Sequence, residues 1–341
     1  MKKHNAKFYL VPAAICLLTL VSIVIYYTCS VFPDQDETQY VYVDADDTAD
    51  SVLSKVQPMA SHHAYAGLST MLRHCDYQKK VRTGRYAIEP GMRIFQVYRM
   101  LKNGQQTPLM LTVPESRTMD RLAAALGRKL MLDSTAIVQA LTDSAFCARL
   151  GYDTCTIAAM FVPNTYEVYW NLTIDQLMER MQKEHDAFWN KERKAKADTL
   201  GLTPNEVCTL ASIIDEETAN TAEKPMIAGM YLNRLKEHMP LQADPTVKFA
   251  LGDFSIRRIY KNMLTTDSPY NTYMNEGLPP GPIKIASVKG IDAVLNRTPH
   301  DYLYMCAKED FSGTHNFAST YAEHLANAAR YARALNERGI K

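Results

Sequence analysis

The chain has 341 residues, 47% of them hydrophobic and 22% charged, with 38 Lys+Arg against 37 Asp+Glu. This length and apolar content support one large or two medium domains around a buried core, and they exclude a disordered chain. The near-even charge, with no basic stripe interleaved with aromatics, excludes nucleic acid as the expected partner.

Residues 1–7 carry Lys2, Lys3 and Lys7 and precede "FYLVPAAICLLTLVSIVIYY", Phe8 to Tyr27, a run without a charged residue. At ~1.5 Å rise per residue a helix over 8–28 spans a hydrocarbon core of roughly 30 Å. Lysines before the run and Asp34, Asp36 and Glu37 after it place the short N-terminus in the cytoplasm and the remainder outside. The run exceeds the h-region of a signal peptide and no A-x-A site follows, so an uncleaved anchor is expected. Residues 29–39, with Pro33, read as a juxtamembrane linker.

"TQYVYVDA", from Thr38, alternates as a strand does, and "DDTADSVLSKVQ" opens a helix. "GRYAIEPGMRIFQVYRMLKNG", from Gly84, repeats this order. A strand through Tyr86 and Ile88 meets a Pro90-Gly91 turn, then a helix places Ile94, Val97, Tyr98 and Leu101 on one face. "PLMLTVPESRTMDRLAAAL", from Pro108, is a third strand and helix. From Leu130 the pattern becomes mostly helical, ending in a helix over Tyr321 to Asn336. The fold class expected is α+β, with a transmembrane helix, a small α/β domain over 40–126 and a larger, mainly helical domain over 127–341.

Of seven cysteines, Cys16 lies in the apolar run. Outside the membrane Cys147 and Cys155 are the nearest pair, but spacing assigns no connectivity, and free buried thiols are an equal reading. With no C-x-x-C pair, H-E-x-x-H helix or His/Cys cluster, neither a metal site nor a cofactor is expected.

"TPNEVCTLASIIDEET" carries the chemistry. Thr203, Pro204 and Glu206 form a capping box that fixes the helix start. At roughly 100° per residue, Val207, Leu210, Ala211 and Ile214 share the core face, with Ile213 at its edge. Of the three terminal acids, Glu217 leans toward that face, Glu216 points nearly opposite and Asp215 lies off the face. Partial desolvation would raise the Glu217 pKa toward what a general acid needs at neutral pH. A solvated acidic helix end is the competing reading.

Downstream stand "YLNRL" (231–235), "LQADPTV" (241–247), "SPYNTY" (268–273) and "GLPPGPI" (277–283). With the acidic helix, "GRYAIEPGM", "FVPNTY" (161–166), "YLYMCA" (302–307) and "THNF" (314–317), the chain resembles the membrane-anchored endolytic murein transglycosylase family, also called YceG-like. The resemblance runs from the anchor to about Tyr321. It implies a LysM-like domain over 40–126 and a catalytic domain over 127–341. It also implies a single-pass protein of the bacterial inner membrane with its catalytic domain on the periplasmic side.

The implied reaction is lytic cleavage of the β-1,4 bond between N-acetylmuramic acid and N-acetylglucosamine in nascent peptidoglycan strands, leaving anhydromuramyl ends that terminate elongation. Peptidoglycan synthases and elongation or division proteins are the implied protein partners. The family's catalytic acid falls on Glu217. Candidate sugar contacts are Gln242, Asp244, Thr246, Tyr270, Asn271, Tyr273, Asn233 and Tyr166. Asp244 is alternatively a cap for the next segment, Arg234 a structural salt bridge, and His315 either a cleft residue or a structural histidine. Two departures stand out: the family's Glu-Lys-Glu is Asp215-Glu216-Glu217 here, which sets a like charge beside the catalytic acid, and its Asp at position 164 is Asn164. The alternatives are a hydrolase pairing Glu217 with Asp244, and a non-catalytic wall-binding scaffold.

Overall fold

Apolar spacing in the first third of the chain builds helices and strands too short to be stable alone, so each depends on a shared core. The structure, a computed structural model, describes residues 7–31, 36–256 and 258–339. Residues 1–6 of the N-terminus and 32–35 of the expected linker lie outside the described residues. In chain order the elements begin with α1 (Lys7–Thr28), β1 (Gln39–Val43), α2 (Ala49–Val56), α3 (His62–His74), β2 (Gly84–Ile88), α4 (Ile94–Asn103) and β3 (Leu109–Val113). They continue with α5 (Met119–Gly127), α6 (Ser134–Thr142), α7 (Ser144–Arg149), β4 (Asn164–Val168), α8 (Ile174–Phe188), α9 (Lys191–Thr199) and α10 (Pro204–Glu217). Last come α11 (Lys224–Lys236), α12 (Asp244–Leu251), α13 (Val288–Leu295), β5 (Tyr304–Ala307), β6 (His315–Ala318) and α14 (Tyr321–Glu337). The architecture is mixed α+β, with helices predominating and three two-stranded sheets among the described residues.

Two compact units divide the chain: residues 1–110 with 167–172, and residues 111–166 with 173–341. The division falls earlier than the 126/127 junction between the two domains expected from the sequence. The reason is pairing: β3 bonds to β4, and the division passes through both strands, which hydrophobic period alone does not reveal. Helix α1 is long and apolar enough to cross a membrane over Tyr9–Thr28; most of its apolar side chains are exposed, while Tyr27 near its end packs against the first unit's core.

In the first unit β1 and β2 pair antiparallel, with Val41 opposite Tyr86 and Val43 opposite Gly84. Val41, Val43, Tyr86 and Ile88 point inward and Tyr40 and Tyr42 outward, as the alternation requires. Val52 and Leu53 of α2, Leu68 and Leu72 of α3, and Ile94, Val97 and Leu101 of α4 close this core. Each buried aliphatic side chain contributes about 1.5–3 kcal/mol. Gly104, at φ 67°, ends α4 in the left-handed conformation that favours glycine.

In the second unit α10 is the central element. Its capping box is formed: the Thr203 N–H donates to Glu206 Oε2 at 2.7 Å and the Glu206 N–H to Thr203 Oγ1 at 3.3 Å. Val207, Leu210, Ala211, Ile213 and Ile214 are fully buried against residues of α11 and α13. Strands β5 and β6, not read as strands from the sequence, form an antiparallel hairpin that packs on α14. All seven cysteines are free thiols.

Candidate active site

The three acids that end α10 have three different surroundings. Asp215 is almost fully buried, its side chain 2% exposed, and is ion-paired with Lys224 at the start of α11. It also accepts the Ser287 N–H at 2.6 Å and the Ser287 hydroxyl at 2.8 Å. Gly290, in the first turn of α13, allows this approach, since a Cβ there would stand 2.5 Å from Asp215 Oδ1. Asp215 therefore ties α10, α11 and α13 together. Its off-face position on the wheel meets the neighbouring helices and not solvent.

Glu216, expected to point outward into solvent, is instead largely covered. It pairs with Arg117 at 2.7 Å and Lys284 at 3.4 Å. The two cations compensate the reversed charge at this position, and burial leads the rise at Glu217. A helical wheel shows direction and not what packs there, and the segments holding Arg117 and Lys284 cover that side.

Glu217 remains open to a cleft of about 310 Å³ in the second unit. Oε1 accepts the Tyr231 hydroxyl at 2.7 Å. Burial pushes the Glu217 carboxyl up from 4.5 to about 7; the Tyr231 bond opposes this, Asp244 adds to the rise, and His315 and Lys248 lower it. Tyr231 is fully buried in α11, and burial together with the neighbouring carboxylate drives its phenol well above the ordinary value. It therefore stays a hydrogen-bond donor to Glu217.

Of the eight expected sugar contacts, Gln242, Asp244 and Tyr273 line the cleft with Glu217. Gln242, exposed at φ 52°, accepts from Arg234 at 3.3 Å through Oε1. Asp244 accepts the Tyr273 hydroxyl at 2.6 Å. It opens α12 without making the cap bond read as its alternative role, because the N-cap position is Ala243.

The other five are not among the residues that line this cleft. Asn271 is fully buried and donates to the carbonyls of Leu264 and Thr266. Thr246, also fully buried, donates to the Ala243 carbonyl and meets the Thr272 hydroxyl. Tyr270 packs on Phe249 at 4.6 Å between ring centroids. Asn233 donates to the carbonyls of His300 and Tyr302, and buried Tyr166 to that of Val162. These polar groups answer the demand that buried donors be paired. Asn164 is exposed and bonds the adjacent Thr165 N–H.

Sequence reasoning assigned no role to Tyr231, although "YLNRL" contains it. It also expected a salt bridge for Arg234, whose guanidinium instead donates to the carbonyls of Leu303, Pro240 and Leu241. His315 does face the cleft. One protonatable carboxyl near neutrality, an aromatic hydroxyl holding it and an open groove with polar walls suit acid catalysis on a carbohydrate.

A family model described as YceG-like matches residues 41–330. The endolytic murein transglycosylase of Bacillus subtilis is 30% identical over 273 residues, covering 75% of each chain. That of Streptococcus pneumoniae R6 is 28% identical over 284 residues, covering 74% of this chain and 51% of the pneumococcal one. A crystal structure of a yceG-like protein from Listeria monocytogenes superposes with a TM-score of 0.56 at 26% identity, over 86% of this chain and 99% of that one. Since the match extends from the first strand into the last helix and takes in the whole cleft, this chain belongs to the YceG-like family.

Proposed function

We propose that this chain is an endolytic murein transglycosylase that cleaves the β-1,4 bond between N-acetylmuramic acid and N-acetylglucosamine in nascent peptidoglycan strands. The observation that carries the reading is the Glu217 carboxyl, raised by burial to about 7 and open to the cleft, in a family whose relatives bear this name. At neutral pH about half of such a group holds its proton. Glu217 gives that proton to the departing glycosidic oxygen as the bond to muramyl C1 breaks. The muramyl 6-hydroxyl bonds C1 from within the same sugar, so neither water nor an enzyme nucleophile enters. In its one-acid form, the carboxylate left on Glu217 then takes the hydroxyl proton. Tyr231 supports both states, because its bond to Oε1 survives the proton's departure.

A two-carboxylate hydrolase would need a second acid as nucleophile or base. Asp244 is the available candidate, and it is held by the Tyr273 hydroxyl. Mass spectrometry of strands digested with the full chain separates the two: anhydromuramyl ends are expected, and exclusively reducing ends would overturn the lytic reading.

Helix α1 acts as a single-pass anchor in the cytoplasmic membrane, with the rest of the chain outside it, supported by its length and apolar composition and by the lysines before it. The first unit serves as a LysM-like wall-binding domain, supported by the order β1, α2, α3, β2 with the two strands antiparallel. Anchoring would hold the cleft near newly made strands and the synthases that extend them.

A further inference from the structure

The cleft holds a second acid-base pair that the one-acid reaction leaves idle. Glu223, just before α11, is buried at 8% exposure. Its carboxylate accepts three donors: the His315 N–H at 2.6 Å on Oε1, and His315 Nδ1 at 2.9 Å and the Thr218 hydroxyl at 3.3 Å on Oε2. With Nδ1 placed to donate to this carboxylate, Nε2 is the ring nitrogen left to meet a partner in the cleft. Nε2 makes no hydrogen bond among the described residues, and the ring lines the cleft with Glu217. Thr218 directly follows Glu217, so one buried carboxylate fixes both the end of the acid's helix and the imidazole. His324 also lines the cleft, but its Nδ1 is buried without a hydrogen-bond partner, and among the described residues no carboxylate pairs with the ring.

Resting on the transglycosylase reading, we infer that His315, held by Glu223, is the base of the reaction. Nε2 takes the proton of the muramyl 6-hydroxyl as that oxygen bonds C1, while Glu217 gives its proton to the departing oxygen. One C–O bond breaks and one forms; one proton leaves Glu217 and one arrives on His315. The imidazolium so formed faces Glu223, the arrangement by which a buried carboxylate stabilises a charged histidine in hydrolytic triads. Passing the proton from His315 to the Glu217 carboxylate through the cleft restores both groups. Because Glu217 need not serve as acid and base in turn, it can remain the weak acid that its burial makes it.

Two variants of the full chain separate catalysis from scaffolding. In His315→Asn the amide nitrogen stands near the position of Nδ1 and keeps the bond to Glu223, while Nε2 is lost. His315→Ala opens room for free imidazole. With un-crosslinked glycan strands as substrate, His315→Asn is expected to keep KM within about threefold and lose at least about 100-fold in kcat, the lower range for general base catalysis. Added imidazole should restore part of kcat to His315→Ala. A kcat within about threefold of the parent for His315→Asn, a loss that appears in KM alone, or a loss in His315→Ala that imidazole leaves untouched would each overturn the inference. If the unaltered chain makes no anhydromuramyl ends, the transglycosylase reading itself fails, whatever the variants do.

Discussion

Replacing Glu217 with glutamine removes the proton donor and should also stabilise the protein, by an amount that depends on pH. The folded state raises this carboxyl from 4.5 to about 7. Below about pH 4.5 both folded and unfolded chains hold the proton, and the group contributes no difference. As pH rises from 4.5 to 7 the unfolded chain loses its proton first, so the stability linked to this group falls, and above pH 7 the full cost persists. The interval corresponds to about 3 kcal/mol at about 1.36 kcal/mol per pH unit. The glutamine side chain would be neutral throughout and could still accept the Tyr231 hydroxyl. The stability gain of Glu217→Gln should therefore be near zero at pH 4 and grow to about 3 kcal/mol at pH 8.5, an upper figure. Urea unfolding of the full chain in detergent, followed by fluorescence of the tryptophans, which include Trp189 in the same core as α10, measures the difference at each pH. Any constant cost of the amide shifts both ends equally. A difference that is the same at pH 4 and 8.5, or that shrinks as pH rises, would refute the burial of this carboxyl as the cause of its high pKa.

Tyr231→Phe removes a hydrogen bond that favours the charged carboxylate, worth about 1.5–3 kcal/mol to an ionised group, so the alkaline limb of kcat/KM should move up by about 1–2 pH units. A pH-rate profile reads this directly, and a downward move would contradict the bond's direction. Glu216→Gln should leave kcat within a few fold but cost about 1–3 kcal/mol, between the exposed and buried limits, because Arg117 and Lys284 lose their shared anion. Paired denaturation and activity assays test that combination, and total inactivation would show that Glu216 takes part in the chemistry. Asn271→Ala leaves the Leu264 and Thr266 carbonyls unpaired and should cost about 2–6 kcal/mol, at about 1–3 kcal/mol per lost partner, seen as a lower midpoint in the same unfolding assay.

The local parts of this molecule were legible in its sequence. Alternation marked β1, β2 and β3, and apolar spacing marked α4 and α14. The Thr203 to Glu206 capping box set the phase of α10, and with it the inward lean of Glu217. These follow from rules acting over a few residues, where backbone geometry alone relates side chains. Tyr270, Asn271, Thr246, Asn233 and Tyr166 were expected as sugar contacts from their motifs, and the fold sets them outside the cleft lining. A motif marks residues that a fold needs, and buried amides and hydroxyls that hold a loop are needed as much as those that touch a ligand.

What the sequence by itself determined is the long apolar run of the first helix, the mixed class of the fold, and which of three adjacent acids leans toward the core. Only tertiary structure decided what the other two acids do, because their partners lie far along the chain: Ser287 is 72 residues from Asp215, and Arg117 is 99 from Glu216. It also decided that the boundary between units runs through β3 and β4, that Tyr231 holds the acid, and that Glu223 turns His315 toward the cleft. Direction along a helix is a property of local backbone. The charge, donor or solvent that a side chain meets there is set by segments that arrive only when the chain has folded.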